Sequence, residues 1–147
     1  MSRKKWNQLR QQQIKEAGAP DFVELVELGQ LIRDNFPNVK VQREWYIIFA
    51  PDGSYLRVQE QMPRGCKYRH PDIMVFEKLE GNRMGRLICC IEVDGSVHDG
   101  KALTETNKRN EEYAEAKVPL CVITKSLSER NIFDQALTYI RDILCLK

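Results

Sequence analysis

Two apolar segments between Tyr68 and His98 constrain the fold more than any other part of the chain. The segments IMVF (73–76) and LICCI (87–91) have no polar interruption. Uninterrupted runs of this kind are typical of central strands that are covered on both faces. The sequence therefore predicts a sheet with two strands at its centre and helices packed against it.

The remaining segments predict an order of helix, three or four strands with hairpin connections, helix, strand and helix. The expected elements are a helix from Pro20-Asp21 to about 35–38, strands at Val39–Phe49, Tyr55–Gln61, Tyr68–Leu79 and Arg86–Asp94, a helix at 101–117, a strand at Leu120–Thr124 and a helix after Ser126. This order is typical of an α/β fold with a mixed four- to five-stranded sheet flanked by helices.

The chain of 147 residues is long enough for one domain, and we expect a single domain over 1–147. Residues 1–19 are predicted to form a basic arm or helix, and 20–147 the core. The net charge is only +2, which argues against a general nucleic-acid coat. The basic arm is compatible with phosphate contacts, but also with a merely solubilising tail.

The cysteines indicate an intracellular protein. Their number, 5, is odd, and no spacing suits zinc. Cys89, Cys90 and Cys121 stand in apolar runs, as buried reduced thiols do. No apolar run approaches the length of about 18 residues that a membrane helix needs, so we expect no membrane association and a cytoplasmic protein.

Three carboxylates mark the two central strands: Asp72, Glu92 and Asp94. Side chains two apart on a strand share a face, and a neighbouring strand would bring Asp72 to the same point. Acids that converge in this way repel one another unless a cation neutralises them, and oxygen ligands suit Mg²⁺ or Mn²⁺. The alternatives are structural: Asp94-Gly95 as a turn, Glu92 as an edge-strand charge and Asp72 as the cap of a strand.

The same residues carry a resemblance to a known family. Pro71-Asp72 followed twenty residues later by Glu92-Val93-Asp94 resembles the signature of the PD-(D/E)XK nuclease superfamily. The segment IEVDGSVHDG, a helix with Arg109, and then VPLCVIT are most similar to its Vsr-related branch. The resemblance covers roughly residues 21–146 and implies a restriction-endonuclease-like core.

The resemblance implies a set of site residues. The implied metal ligands are Asp72, Glu92, the backbone carbonyl of Val93, Asp94, and Glu24 on the first helix, with Glu27 as an alternative to Glu24. The family usually has lysine where Asp94 stands. The cationic role of that lysine is expected to fall to Lys101, Lys108 or His98 in this chain. Of these, His98 suits proton transfer near neutral pH. Arg109 is expected either to contact phosphate or to lie on a solvated helix face.

The implied function is a Mg²⁺- or Mn²⁺-dependent DNA endonuclease, structure-selective or nicking, in repair, recombination or restriction. DNA-backbone contacts are expected from Arg3, Lys4, Lys5, Arg69, His70 and Arg109. A two-fold homodimer, joined through the N-terminal helix, would suit paired cuts at a junction. The alternative, favoured by the missing lysine, is a catalytically silent nucleic-acid-binding or assembly module.

Overall fold

The described part of the chain contains two β-sheets, three α-helices of 14 to 16 residues, a short 3-10 helix at Glu80–Asn82 and a helical segment at residues 3–5. The computed structural model describes residues 2–5, 8, 22–94, 100–124 and 132–145. The helices are α1 (Phe22–Asn35), α2 (Gly100–Glu115) and α3 (Ile132–Cys145). The strands are β1 (Val39–Arg43), β2 (Tyr46–Phe49), β3 (Tyr55–Gln59), β4 (Lys67–Arg69), β5 (Ile73–Leu79), β6 (Arg83–Asp94) and β7 (Leu120–Thr124).

The larger sheet is mixed and has the strand order β1-β5-β6-β7. β5 pairs antiparallel with both β1 and β6, whereas β7 runs parallel to β6. The parallel pair needs a crossover, and α2 lies in that connection. The predicted α/β class, the mixed sheet and the central position of β5 and β6 are confirmed.

The smaller sheet was not foreseen as a separate unit. It is antiparallel, with the order β3-β2-β4. We expected one strand over Val39–Phe49, but this was wrong: the chain breaks at Glu44, whose φ of 62° lies in the left-handed region. The segment before the break pairs with β5, and the segment after it pairs with β3 and β4. The expected hairpin across the Pro51–Ser54 turn is present as β2 and β3.

The predicted strand Tyr68–Leu79 is also divided. It consists of β4 and β5, separated by His70, Pro71 and Asp72. Proline lacks an N–H and cannot donate to a ladder, which is why the pairing stops here. As a result Asp72 stands directly before β5, at an interruption between the two sheets.

Each face of the larger sheet has its own apolar cluster. Leu28 and Ile32 of α1 and Ile140 of α3 pack with Ile73 and other inward residues on one face. On the other face, Met74, Phe76 and Cys90 pack against Tyr113 of α2 and Ile47 and Phe49 of β2. A fully buried side chain of this size contributes about 1.5 to 3 kcal/mol. The central strands are therefore covered on both faces, as the apolar runs predicted.

The cysteines and the N-terminal arm can be placed in part. Cys89, Cys90 and Cys121 are buried and reduced, as expected, whereas Cys66 and Cys145 are exposed. Arg3, Lys4 and Lys5 are exposed on a helical segment, where the Lys5 amide donates to Ser2 Oγ at 3.2 Å. Within the described residues, no helix has the length and apolar character needed to cross a membrane.

Candidate functional site

The three predicted acids meet at one end of β5 and β6. Ile73 pairs with Ile91, so the register extended by one residue sets Asp72 opposite Glu92. Glu92 and Asp94 alternate with Val93 and share the face of Cys90, whose cluster packs against α2. The acids therefore lie on the face of the larger sheet that packs against α2, just beyond the apolar cluster on that face.

Asp72 is tied to the neighbouring strand by its carboxylate. Its Oδ2 accepts a hydrogen bond of 2.8 Å from the backbone N–H of Val93. Burial raises the pKa of the Asp72 carboxyl, and the charge of Asp94 raises it further, although the Val93 hydrogen bond opposes both. The hydrogen bond thus holds this carboxyl in place, but the nearby positive charge does not offset the rise in its pKa.

Glu92 is the most strongly perturbed of the acids. Burial, followed by the charge of Asp72, raises the pKa of Glu92 from 4.5 to about 8, although Arg109 acts in the opposite direction. Its side chain is only 14% exposed. Because the charge of Asp72 raises the pKa of Glu92, the two carboxyls do not ionise together cheaply, and an added cation would favour both charged forms.

Asp94 has a different partner. Arg109 Nη1 and Nη2 donate to its two carboxylate oxygens at 2.8 and 3.0 Å. Arg109 Nη1 also lies 3.8 Å from Glu92 Oε2. Burial acts to lower the pKa of Arg109, but the bonds to Asp94 and the charges of the acids outweigh it and raise the pKa. A planar guanidinium matched to a carboxylate in this way is a strong, oriented ion pair.

A second ion-pair group fixes the helix that carries Arg109. Arg69 of β4 donates to Glu112 at 2.6 Å and to Glu105 at 2.8 Å, and Lys67 lies 3.3 Å from Glu112. Glu105, Arg109 and Glu112 share a face of α2 because they are three to four residues apart. The smaller sheet therefore orients the helix face that presents Arg109 to the acids.

Two of the acids offer oxygen donors to a divalent cation. Among the described residues, no three His, Cys, Asp or Glu side chains stand together as a metal-binding group. Mg²⁺, however, is commonly held by one or two carboxylates, with water and substrate phosphate completing its shell. Asp72 and Glu92 provide such a pair, and their raised pKa values mark a deficit of positive charge. The two carboxylates fit Mg²⁺ or Mn²⁺, whereas both oxygens of Asp94 are engaged by Arg109.

The other predicted site residues are dispersed or only partly described. His98 and the side chain of Lys101 lie outside the described residues. Glu24 is half-buried and Glu27 exposed on α1. The described contact of Val93 with Asp72 is made by its N–H.

Three expected phosphate contacts have partners within the protein. Arg69 is engaged by Glu112 and Glu105, and Arg109 by Asp94. His70 is exposed and stacks on Tyr46, with ring centroids 4.3 Å apart. The pairing of Arg109 with Asp94 and of Arg69 with Glu112 was missed, because no local spacing connects residues 15 and 43 positions apart.

The chain was compared with family models, curated proteins and solved structures, and it matches none of them.

Proposed function

We propose that this protein is a metal-dependent DNA endonuclease with a restriction-endonuclease-like core, related to the PD-(D/E)XK superfamily. The observation that carries the proposal is the pair Asp72 and Glu92, two half-buried carboxyls that the register of β5 and β6 sets opposite each other and whose pKa values are both raised. Each carboxyl with a raised pKa lowers the stability of the folded protein at neutral pH, where it would be ionised in the unfolded chain. A site that holds a divalent cation at a phosphodiester accounts for it.

Asp72 and Glu92 are assigned as the metal-holding pair. The Val93 N–H holds Asp72 in position, so that one carboxylate oxygen is oriented before a ligand arrives. Glu92 has to release its proton to serve as a ligand, which makes cation affinity rise with pH. A bound Mg²⁺ or Mn²⁺ would supply Lewis-acid stabilisation of the scissile phosphate and lower the pKa of water. The Val93 carbonyl and Glu24 remain predicted further ligands, whereas Asp94, also predicted as a ligand, is assigned here to Arg109, which binds both of its oxygens.

Arg109 is assigned the cationic role that lysine usually has in the PD-(D/E)XK superfamily. Its guanidinium is permanently charged, and it approaches Glu92 at 3.8 Å while it is bonded to Asp94. Arg109 therefore brings positive charge beside the carboxylates from α2 rather than from position 94. Asp94 acts as the group that positions it.

DNA would be held by exposed cations of the chain. Arg3, Lys4, Lys5 and Arg64 are exposed. Contacts to backbone phosphates would position the duplex without reading its sequence. Arg69 is better assigned to the orientation of α2, since Glu112 and Glu105 already bind it. Pairing of two chains into a dimer stays a prediction, checked by the mass in solution.

A catalytically silent nucleic-acid-binding module is the second candidate. The bidentate bond of Arg109 to Asp94 favours it, because this cation already offsets part of the acidic charge. Such a module would bind DNA with a salt-dependent affinity but would not cleave it.

The test is a cleavage panel of supercoiled, mismatched, flapped and four-way-junction DNA with Mg²⁺ or Mn²⁺. Wild type is compared with Glu92→Ala and with Glu111→Gln, an exposed acid on α2 that serves as the control. We expect cleavage by wild type and the control, and a loss of at least about 100-fold in Glu92→Ala. Cleavage that survives Glu92→Ala would refute the assigned site, and binding without cleavage of any substrate would favour the silent module.

A further inference from the structure

A basic cleft lies along the free edge of the larger sheet, with its lysines toward the end that is away from the acids. It runs along the edge strand β1, between the C-terminal end of α1 and the turn that joins β5 to β6, with a volume of about 490 Å³. Its polar lining consists of Arg33, Lys40, Gln42, Lys78 and Asn82. This volume is within the range of about 300 to 1,000 Å³ that is usual for small-ligand sites.

The charge of this basic cleft is of one sign. Among the described residues, Arg33, Lys40 and Lys78 line it and no carboxylate does. Within the described residues none of these three cations has a salt bridge to an acid. A concave surface lined by like charges concentrates the positive potential and attracts an anion.

Two of the cations are held in place without being neutralised. Arg33 Nη2 donates to the carbonyl of Val41 at 3.1 Å, and Lys40 Nζ to the carbonyl of Asn82 at 2.7 Å. The neighbouring acids have other partners: Asp34 accepts from Gln30, and Glu77 pairs with Arg86. The cleft therefore has oriented cations whose charge is available to a ligand.

Neutral donors supplement the charges. Gln42 and Asn82, whose side chains carry an amide, are among the residues that line the cleft. The carbonyl of Val41 accepts from Arg33 and therefore points away from β5, toward the unpaired edge of β1. The N–H of Val41 points to the same side of the strand as its carbonyl, so it also faces that unpaired edge. A guanidinium, ammonium groups and amide N–H donors together match an oxyanion with several acceptor oxygens.

The two lysines of the basic cleft are set apart from the acid site, although Gln42, also in its lining, pairs with Met74, two residues from Asp72. Lys78 and Asp72 are six residues apart across β5, which corresponds to about 20 Å at roughly 3.3 Å per residue. A phosphate bound beside Asp72 and Glu92 could not also contact Lys78. We propose that this cleft is a second binding site that takes a phosphate group, and this site does not depend on the proposed nuclease activity.

The test uses inorganic phosphate and pyrophosphate as probes in calorimetric titrations of the full chain in EDTA, so that no metal bound at the acids contributes. We expect saturable binding of pyrophosphate, on the order of 1 mM or tighter. Lys40→Gln and Lys78→Gln should each weaken it roughly five- to tenfold, as loss of a charged contact does. Arg141→Gln, which removes an exposed cation on α3, should leave it unchanged.

A short DNA oligonucleotide distinguishes the two sources of the phosphate. If DNA displaces pyrophosphate and Lys78→Gln reduces the salt slope of DNA binding by about 1, the cleft takes a backbone phosphate. If pyrophosphate binds and DNA does not displace it, the ligand is a small phosphorylated compound. The proposal is overturned if neither probe binds saturably, or if Arg141→Gln weakens binding as much as the cleft variants do. None of these results depends on cleavage.

Discussion

The Arg109→Gln substitution would remove the cation that neutralises Asp94. The two side chains are 11% and 9% exposed, and two hydrogen bonds of 2.8 and 3.0 Å connect them. Removal of one partner from a buried ion pair costs roughly 3 to 5 kcal/mol, because the remaining charge stays buried and unpaired. Arg109 also acts on Asp72 and Glu92. We therefore expect the free energy of unfolding to fall by roughly 3 to 5 kcal/mol.

Urea denaturation, followed by far-ultraviolet circular dichroism in EDTA at neutral pH, measures this loss. With a denaturant slope of about 2 kcal/mol per molar, the midpoint should fall by about 2 M urea. The matched control is Lys108→Gln, which removes an exposed charge next to Arg109 on the same helix. Its effect should stay within about 0.5 kcal/mol.

The double variant Arg109→Gln/Asp94→Asn separates the ion pair from other effects of the substitution. If Asp94 is the main partner, the double variant should lose less stability than the sum of the two single variants, by at least about 1 kcal/mol. A loss below about 1 kcal/mol for Arg109→Gln, or strict additivity in the double variant, would refute the assigned pairing.

Three further predictions concern other parts of the structure. Because the folded pKa of Glu92 is raised from 4.5 to about 8, stability from this group is complete below about pH 4.5 and is lost as pH rises toward 8. At pH 7 in EDTA, Glu92→Gln should therefore have a free energy of unfolding about 3 kcal/mol higher than wild type, and a higher urea midpoint. A difference between the two proteins that is the same at pH 7 and at pH 4.5 would contradict the shift. Glu112→Gln, which weakens the bonds to Arg69 and Lys67, should cost roughly 1 to 3 kcal/mol in urea denaturation. Glu111→Gln is its exposed control, and equal effects would argue against the ion-pair group. In the native protein, a thiol reagent should modify the exposed Cys66 and Cys145 well before the buried Cys89, Cys90 and Cys121. Mass spectrometry of labelled peptides measures the order of labelling, and early labelling of Cys89 would contradict its burial.

The sequence was sufficient for the central strands and their acids. The apolar runs at 73–76 and 87–91 identified β5 and β6, because only strands covered on both faces tolerate such composition. The meeting of Asp72 with Glu92 and Asp94 followed from the two-residue period of a strand and from antiparallel pairing of neighbours. Both inferences depend on local geometry, which a sequence encodes directly.

The division into two sheets could not be read in the same way. Glu44 adopts a left-handed conformation although it is neither glycine nor asparagine, so the break within 39–49 has no local signal. The roles of Arg69 and Arg109 depend on how α2 packs against both sheets. Such long-range contacts are set by tertiary packing, and for that reason two arginines expected to contact phosphate proved to be bound to glutamate and aspartate.

The central claim is that Asp72 and Glu92 hold a divalent cation. A calorimetric titration of Mn²⁺ into wild type, Asp72→Asn, Glu92→Gln and the exposed control Glu111→Gln tests it most directly. The account predicts saturable binding in wild type and in the control, stronger at pH 8 than at pH 6 because Glu92 must lose its proton, and no binding in either site variant. Absence of binding in wild type, or binding that persists in both site variants, would contradict the claim.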